Sequence, residues 1–224
     1  MKINILYSVE GAQEATGQVI IVDIFRAATT AAYTFSRGAN HIIPVAHRAE
    51  AFALREKHPD YILMGEHHGI KVEGFDYGNS PFELQKINLS DRIVVQRTSQ
   101  GTKGLVNALQ AESIFFGSFV TVSALTAHLL SIGAPEVSIV AMDGQGTEDD
   151  KFAYYLKAKL EGGDPDISPI IEYLKTHKAA KRFLDPSIPG FDKEDFDLCL
   201  SPDEFRFYLK AEKSGDHLIL QKYE

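Results

Sequence analysis

Residues 92–110 read RIVVQRTSQGTKGLVNALQ, and the order of structures that they predict recurs along most of the chain. The apolar run at the start is short and rich in β-branched residues, as in a buried strand. A turn containing glycine and hydroxyl residues follows it, and LVNALQ continues as a helix. A strand, a turn and a helix in this order form the first part of a βαβ unit, which places parallel strands side by side.

The same alternation predicts the fold class. Further apolar runs predict strands at 2–8, 19–25, 41–46, 61–66, 113–118 and 136–143. Helices are predicted at 27–37, 48–57, 81–87, 103–111, 120–132 and 149–161. This pattern favours an α/β protein with three α/β/α layers around a largely parallel or mixed sheet.

The alternation of strands and helices ends after EGGDPD (161–166). A helical stretch at 167–184 follows, and residues 205–212 and 217–224 predict a hairpin around KSGD. We therefore expect a single α/β domain over residues 1–224, in which residues 162–224 form a C-terminal helix and hairpin appendage.

Composition excludes several classes of function. The 224 residues carry a formal charge of −8, which argues against broad binding to nucleic acid or to an anionic membrane surface. The single cysteine, Cys199, excludes an internal disulfide framework, and its surroundings predict a small buried residue rather than a nucleophile. No apolar run has the length of a membrane span and the N-terminus lacks the pattern of a signal peptide, so we expect a cytoplasmic protein.

Polar residues collect where four predicted strands end. Ligands of open parallel sheets bind outside the carboxyl ends of the strands. The residues at that edge are Asp23 and Arg26, then Glu66, His67 and His68, then Arg97, Thr98, Ser99 and Thr102, and finally Asp143, Glu148, Asp149 and Asp150. Each alone could be a helix cap or a solvated turn. Four clusters at one edge predict one shared site.

Two of these clusters suggest specific chemistry. The helix start in RTSQGT could hold phosphate oxygens through backbone N–H groups and hydroxyls, with Arg97 as a bidentate donor. The alternative is an ordinary N-cap. The acids in MDGQGTEDD could coordinate Mg²⁺, or they could complement a helix dipole without any metal. Spacing alone leaves both pairs of interpretations open.

The chain resembles a known family in five stretches, which occur in this order: VIIVDIFRAATT (19–30), GEHHGIKVEGFDYGNSPFEL (65–84), VVQRTSQGTKG (94–104), GSFVTVSAL (117–125) and DGQGTEDD (143–150). Together they are similar to the 2-phosphosulfolactate phosphatase family. The resemblance implies a three-layer α/β fold and Mg²⁺-dependent hydrolysis of (2R)-phospho-3-sulfolactate to sulfolactate and phosphate, a step of coenzyme M biosynthesis.

The resemblance also implies the roles of site residues, together with the polar clusters above. The expected catalytic residues are Asp23, Arg26, Arg97 and Asp76, with Asp76 as the general base. The expected substrate-binding residues are His67, Asn79, Ser80, Thr98, Ser99, Gly101 and Thr102. The expected Mg²⁺ ligands are Glu66, Glu148 and Asp149, with Asp23 as a further candidate ligand.

The loop GFDYGNSP (74–81) is expected to form the rim and lid of this site. Its glycines would let the backbone approach a ligand, and Ser80 would cap the next helix ahead of Pro81. Asp76 and Asn79 would then face the site.

Two alternative functions stay open. His67 stands where many relatives have arginine, and RTSQGT differs from the usual family motif, so the substrate could be another phosphorylated small acid. The second alternative is a non-catalytic protein that binds a small anion. A homodimer is compatible with the sequence, but no residue identifies one.

Overall fold

One mixed β-sheet of ten strands runs through the protein, whose computed structural model describes residues 1–224. The strands are β1 (Lys2–Tyr7), β2 (Gly17–Val22), β3 (His41–Val45), β4 (Ile62–His67), β5 (Ile70–Lys71), β6 (Ile93–Arg97), β7 (Ala111–Gly117), β8 (Glu136–Ala141), β9 (Tyr208–Ser214) and β10 (His217–Tyr223). Their order across the sheet is β1-β8-β2-β7-β9-β10-β3-β6-β4-β5. The predicted strands therefore exist, with ends that differ by a few residues.

Helices cover both faces of this sheet. They are α1 (Ser8–Glu14), α2 (Ala27–Ser36), α3 (Arg48–Lys57), α4 (Pro81–Leu84), α5 (Gly101–Asn107), α6 (Val122–Ser131), α7 (Glu148–Leu160), α8 (Ser168–Thr176), α9 (Lys178–Leu184) and α10 (Lys193–Cys199). Alternate residues of β2 serve opposite cores: Ile21 packs with Ala28 of α2, and Ile20 packs in the cluster that contains Phe152 of α7. The predicted three-layer α/β fold is confirmed. None of the helices has the length and apolar character needed to span a membrane.

The C-terminal hairpin lies in the middle of the sheet. Strand β9 pairs antiparallel with β7, for example at Phe115 and Lys210, and β10 meets β3 through the single pair Leu220–Ile42. Parallel strands β1, β8, β2 and β7 lie on one side of the hairpin, and β3, β6 and β4 lie on the other. The predicted hairpin is thus present, and it joins two parallel groups of strands.

The predicted helix at 167–184 is two helices, because His177 is extended, with ψ 154°. The His177 ring accepts a hydrogen bond from the backbone N–H of Ala179 at 3.3 Å and so caps the second helix. Helices α1 and α10 were not predicted from the sequence, since both are short and only partly apolar.

Gly65 permits a close approach between two strands that lead to the polar edge. Its φ is 144°, and a Cβ atom there would lie 1.8 Å from the carbonyl oxygen of Arg97. Only glycine fits such a position. The pairing of β4 with β6 therefore places Glu66 beside the end of β6.

Candidate functional site

A cavity of about 390 Å³ opens where β2, β4, β6 and β8 end. We refer to it as the polar cavity. Its polar lining residues are Asp23, Arg26, Glu66, His68, Asn79, Ser99, Gln100, Asp143 and Arg182. Its remaining wall consists of Phe25, Gly69, Ile188 and Phe191. Four loops that are distant in sequence therefore meet at one site, as the strand-end pattern predicted.

Asp23 lies at the start of α2 and is held by two backbone donors. Its Oδ1 accepts a hydrogen bond from Ala27 N at 2.9 Å, and its Oδ2 accepts one from Gly101 N at 2.8 Å. Burial and the nearby Asp143 carboxylate together raise the pKa of Asp23 to about 7, although both N–H donors oppose the rise. A fixed carboxyl group with this pKa can exchange a proton near neutral pH.

Three further carboxyl groups lie beside Asp23. Burial raises the pKa of Glu148 to about 7, and it raises the pKa of Asp149 well above its ordinary value. Desolvation also raises the pKa of Asp143. Asp149 is held by backbone donors, since its Oδ1 accepts from Ile24 N at 2.8 Å and its Oδ2 from Asp143 N at 3.0 Å. Three buried acids and the exposed Asp143 thus lie close together, where like charges oppose ionisation.

Glu66 connects two loops of the site. Its Oε2 accepts hydrogen bonds from Gly69 N at 2.7 Å and from the Ser99 hydroxyl at 2.9 Å, while its Oε1 accepts from Ser99 N. The carboxylate lines the polar cavity, but each of its oxygens already has a donor. Its visible role is to fix the loop after β4 against the loop after β6.

The backbone N–H groups of RTSQGT do not form the expected phosphate cradle. Thr98 N donates to the Thr102 hydroxyl at 2.8 Å, and Thr102 N donates back to the Thr98 hydroxyl at 3.0 Å. The N–H groups of Ser99 and Gly101 donate to Glu66 and Asp23. The protein's own oxygens therefore occupy these donors. Of the expected substrate-binding residues in this turn, only Ser99 lines the cavity.

Arg26 is buried in the cavity wall and paired with an acid from α10. Its Nη1 lies 2.6 Å from Oδ2 of Asp195, and Arg26 and Asp195 are 3% and 0% exposed. The Arg26 guanidinium also lies 4.7 Å from the centre of the Phe191 ring. Such a group presents a fixed positive charge, because packing and the ion pair remove its freedom to rotate.

Neither Arg97, which is buried, nor His67, which is exposed, lines the cavity. Nη1 of Arg97 donates to the carbonyl oxygen of Glu66 at 2.6 Å and lies 3.3 Å from Nδ1 of His67. Neither residue therefore lies where the expected contact with substrate would place it. His68 lines the cavity instead, and its backbone, with φ 52°, donates to the Ser99 hydroxyl at 3.1 Å.

The loop GFDYGNSP contributes to the site through Asn79 and Ser80, not through Asp76. Asn79 lines the polar cavity. The Ser80 hydroxyl accepts from Glu83 N at 3.0 Å, as a helix cap, and donates to Asp195 at 2.8 Å. Asp76 forms an ion pair with Arg55 and accepts a hydrogen bond from Leu63 N at 2.7 Å. The expectation that Asp76 is the general base is corrected, because the strand backbone and Arg55 hold this carboxylate outside the cavity lining.

The acids fit a hard cation only in part. Glu148 is 1% exposed, and its Oε1 is buried with no hydrogen-bond partner, which is a suitable donor for an ion. Asp143 and Asp23 line the adjacent cavity. The expected ligands Glu66 and Asp149 already accept hydrogen bonds at both oxygens, and no group of three acids or histidines is arranged around a common point. Glu148 and the cavity-lining Asp143 therefore fit Mg²⁺ better than the expected set, whereas Asp23, like Glu66 and Asp149, already accepts hydrogen bonds at both oxygens.

Sequence reasoning missed the contributions of Asp195 and Arg182. Both come from the C-terminal segment, where no strand end pointed to a site. Cys199 follows them and is buried, as predicted, and burial raises the pKa of its thiol well above the ordinary value. A larger cavity of about 1020 Å³ lies between α3, α5 and the β9–β10 hairpin, and none of the expected site residues lines it.

Comparison with known proteins agrees with the sequence resemblance. The family model for 2-phosphosulpholactate phosphatase matches residues 6–214. A probable 2-phosphosulfolactate phosphatase of Bacillus subtilis (strain 168) is 34% identical over 200 residues, which cover 88% of each chain. Proteins with the same name from Thermoplasma acidophilum and Caldicellulosiruptor saccharolyticus are 34% and 36% identical, over 82% and 73% of this chain and 81% and 71% of their own lengths. The chain therefore belongs to the 2-phosphosulfolactate phosphatase family.

Proposed function

We propose that this protein is a Mg²⁺-dependent phosphatase that hydrolyses 2-phosphosulfolactate to sulfolactate and phosphate. Family membership supports the reaction class. The observation that supports the metal dependence is the buried Oε1 of Glu148, which has no hydrogen-bond partner and lies near the cavity-lining Asp143. An unpaired buried carboxylate oxygen is costly unless a cation or a proton occupies it.

Charge supports the same proposal. Asp23, Glu66 and Asp143 line the polar cavity, and the proposed substrate carries phosphate, carboxylate and sulfonate groups. Arg26 and Arg182 also line the cavity, so three acids face two arginines, and a bound cation would shift this balance toward positive charge. Asp143 and Glu148 would hold Mg²⁺, which when bound would neutralise phosphate charge and lower the pKa of a water molecule.

The chain's own residues have distinct roles in this proposal. Asp23, whose pKa is about 7, accepts the proton of the attacking water, in place of Asp76. Arg26, fixed by Asp195, presents positive charge to the phosphoryl oxygens. The side chains of Asn79 and Ser99 offer polar contacts from the cavity wall. Glu66 holds the loop after β4 against the loop after β6, and the Phe191 ring orients the Arg26 guanidinium.

The test is phosphate release from 2-phosphosulfolactate, 2-phospholactate and 3-phosphoglycerate, with Mg²⁺ and with EDTA. We expect release that favours 2-phosphosulfolactate, disappears in EDTA and returns with Mg²⁺. Activity that persists in EDTA would contradict the metal requirement. Faster release from another phosphorylated acid would mean that this acid is the substrate, and it would leave the assignment of the site unchanged. Ligand-induced thermal stabilisation without phosphate release from any compound would favour a binding protein.

The acid–base role needs its own variant. Asp23→Asn keeps the shape and removes the titrating group, so kcat should fall by about 100- to 10,000-fold. The matched control is Asp76→Asn, which makes the same chemical change outside the cavity lining and should leave kcat unchanged. Equal losses in both variants would contradict the assignment of Asp23.

A further inference from the structure

Two arginines line the polar cavity, and only one of them has an acidic partner. Arg26 is buried against Asp195, whereas Arg182 on α9 is exposed and forms no ion pair with any carboxylate. The Arg182 guanidinium lies 5.7 Å from the centre of the Phe191 ring, the same ring that Arg26 approaches. The cavity thus has a fixed positive charge in its wall and a free one at its rim.

Arg182 lines the same cavity as Asp23, Glu66 and Asp143. A positive guanidinium beside these carboxylates is attracted toward them. This attraction and the contact with Phe191 favour side-chain conformations that place the guanidinium over the opening.

The position of Arg182 at the rim of the polar cavity indicates which part of a substrate it contacts. The phosphoryl group must reach the buried acids for hydrolysis, so the non-hydrolysed part of the molecule points toward the rim. A guanidinium offers a planar set of donors that matches carboxylate or sulfonate oxygens. Lys181, the preceding residue on α9, does not line the cavity.

We propose that Arg182 binds an acidic group of the substrate that is not hydrolysed, the sulfonate or the carboxylate, and thereby selects phosphorylated acids over simple phosphate esters. This inference rests on the proposed function. Arg182 acts as a specificity residue, because its contact is the same before and during hydrolysis. Its removal should therefore raise KM and leave kcat nearly unchanged.

The first test measures binding without turnover. Calorimetry would compare wild type, Arg182→Gln and Lys181→Gln, with Mg²⁺ present. The probes are sulfolactate, lactate, which lacks the sulfonate, and 2-hydroxypropane-1-sulfonate, which lacks the carboxylate. We expect Arg182→Gln to weaken binding of sulfolactate by about tenfold to a hundredfold, and Lys181→Gln to leave it unchanged.

The shorter probes identify the group that Arg182 binds. If Arg182 binds the sulfonate, the substitution weakens the binding of 2-hydroxypropane-1-sulfonate and leaves the binding of lactate unchanged. If Arg182 binds the carboxylate, the reverse holds. The inference would be overturned if Arg182→Gln binds sulfolactate as tightly as the wild type does, or if Lys181→Gln weakens this binding equally. A wild-type protein that binds none of the three probes would also overturn it.

The second test measures turnover of 2-phosphosulfolactate and isopropyl phosphate, which has no second acid. Arg182→Gln should raise KM for the first by about tenfold to a hundredfold and leave kcat/KM for the second unchanged, and Arg182→Lys should recover part of the loss. A uniform fall in kcat on both esters would overturn the inference, since it would place Arg182 at the phosphoryl group. Failure of the proposed function looks different: the wild type would then release no phosphate, while the binding test would still decide the role of Arg182.

Discussion

The guanidinium of Arg26 and the carboxylate of Asp195 meet at 2.6 Å, although 169 residues separate them in the chain. Asp195 in turn accepts hydrogen bonds from the Ser80 hydroxyl and from Phe82 N, at 2.8 and 2.9 Å. One buried carboxylate therefore connects the loop after β2, the GFDYGNSP loop and α10. It orients Arg26 toward the cavity and fixes three segments of the chain relative to each other.

Removal of this carboxylate should destabilise the protein strongly. Asp195→Asn leaves the Arg26 charge buried and unpaired, so the free energy of unfolding should fall by about 3–5 kcal/mol. Urea unfolding measures this change. Asp197→Asn is the control, since it alters an exposed acid on the same helix and should change the free energy of unfolding by less than about 0.5 kcal/mol. Similar values for both variants would mean that the ion pair contributes little.

Gly101 is expected to control the position of Asp23. A Cβ atom at Gly101 would lie 2.7 Å from Oδ2 of Asp23 and 2.8 Å from the Ala27 side chain, so Gly101→Ala must displace the carboxylate. The kcat should fall by about a hundredfold, the loss that a small misplacement of a catalytic group can cause. Gly78→Ala is the control, because the nearest atom to its Cβ would be a flexible Glu83 oxygen at 3.3 Å. Steady-state phosphate release distinguishes the two variants, and an active Gly101→Ala would argue against a catalytic Asp23.

Asp76 should affect stability rather than chemistry. Asp76→Ala removes the acceptor of Leu63 N and the partner of Arg55, so the free energy of unfolding should fall by about 1–3 kcal/mol. The kcat should stay at the wild-type value. Arg55→Ala removes only the partly exposed ion pair and should cost about 0–1 kcal/mol. A large loss of kcat in a folded Asp76→Ala protein would restore Asp76 as a catalytic candidate.

The buried acids should make stability depend on pH in the absence of metal. The pKa of Glu148 is about 7 in the folded protein and its ordinary value is 4.5, so the folded state binds more protons than the unfolded state between these values. The contribution of Glu148 to the free energy of unfolding is thus complete below pH 4.5, and it is lost as the pH rises toward 7. Glu148→Gln cannot ionise, so its free energy of unfolding should fall less than that of the wild type over this range.

Urea unfolding in EDTA at several pH values measures this difference between the wild type and Glu148→Gln. Addition of Mg²⁺ at pH 7.5 should stabilise the wild type and have a weaker effect on Glu148→Gln. Parallel pH profiles for the two proteins would contradict the assignment of a raised pKa to Glu148.

The sequence was sufficient to predict the fold class and the edge of the sheet that carries the site. The apolar runs are short and well separated, so strands such as β3 and β6 were located to within a residue or two. Asp23 directly follows β2 and Glu66 lies near the end of β4, so both were found from the predicted strand ends. These predictions depend on local pattern, which a single sequence contains.

The remaining parts of the site depend on contacts that no local pattern records. Asp76 and Asn79 lie three residues apart in a loop, but only Asn79 lines the cavity, because Leu63 N binds the aspartate. The sequence RTSQGT suggested backbone amides that could hold phosphate, yet the carboxylates of Asp23 and Glu66 occupy two of them. Arg182 reaches the cavity from a segment that lies beyond the alternation of strands and helices.

The central place of the β9–β10 hairpin has a consequence for biosynthesis. Residues 208–223 leave the ribosome after β7 and β3, the two strands between which they insert. Until then the facing edges of β7 and β3 have no strand paired with them. Exposed strand edges attract other chains. Assembly of the sheet must therefore be completed after translation of its flanks, and the interval before the hairpin arrives is the period in which a nascent chain of this protein is most exposed to misassociation.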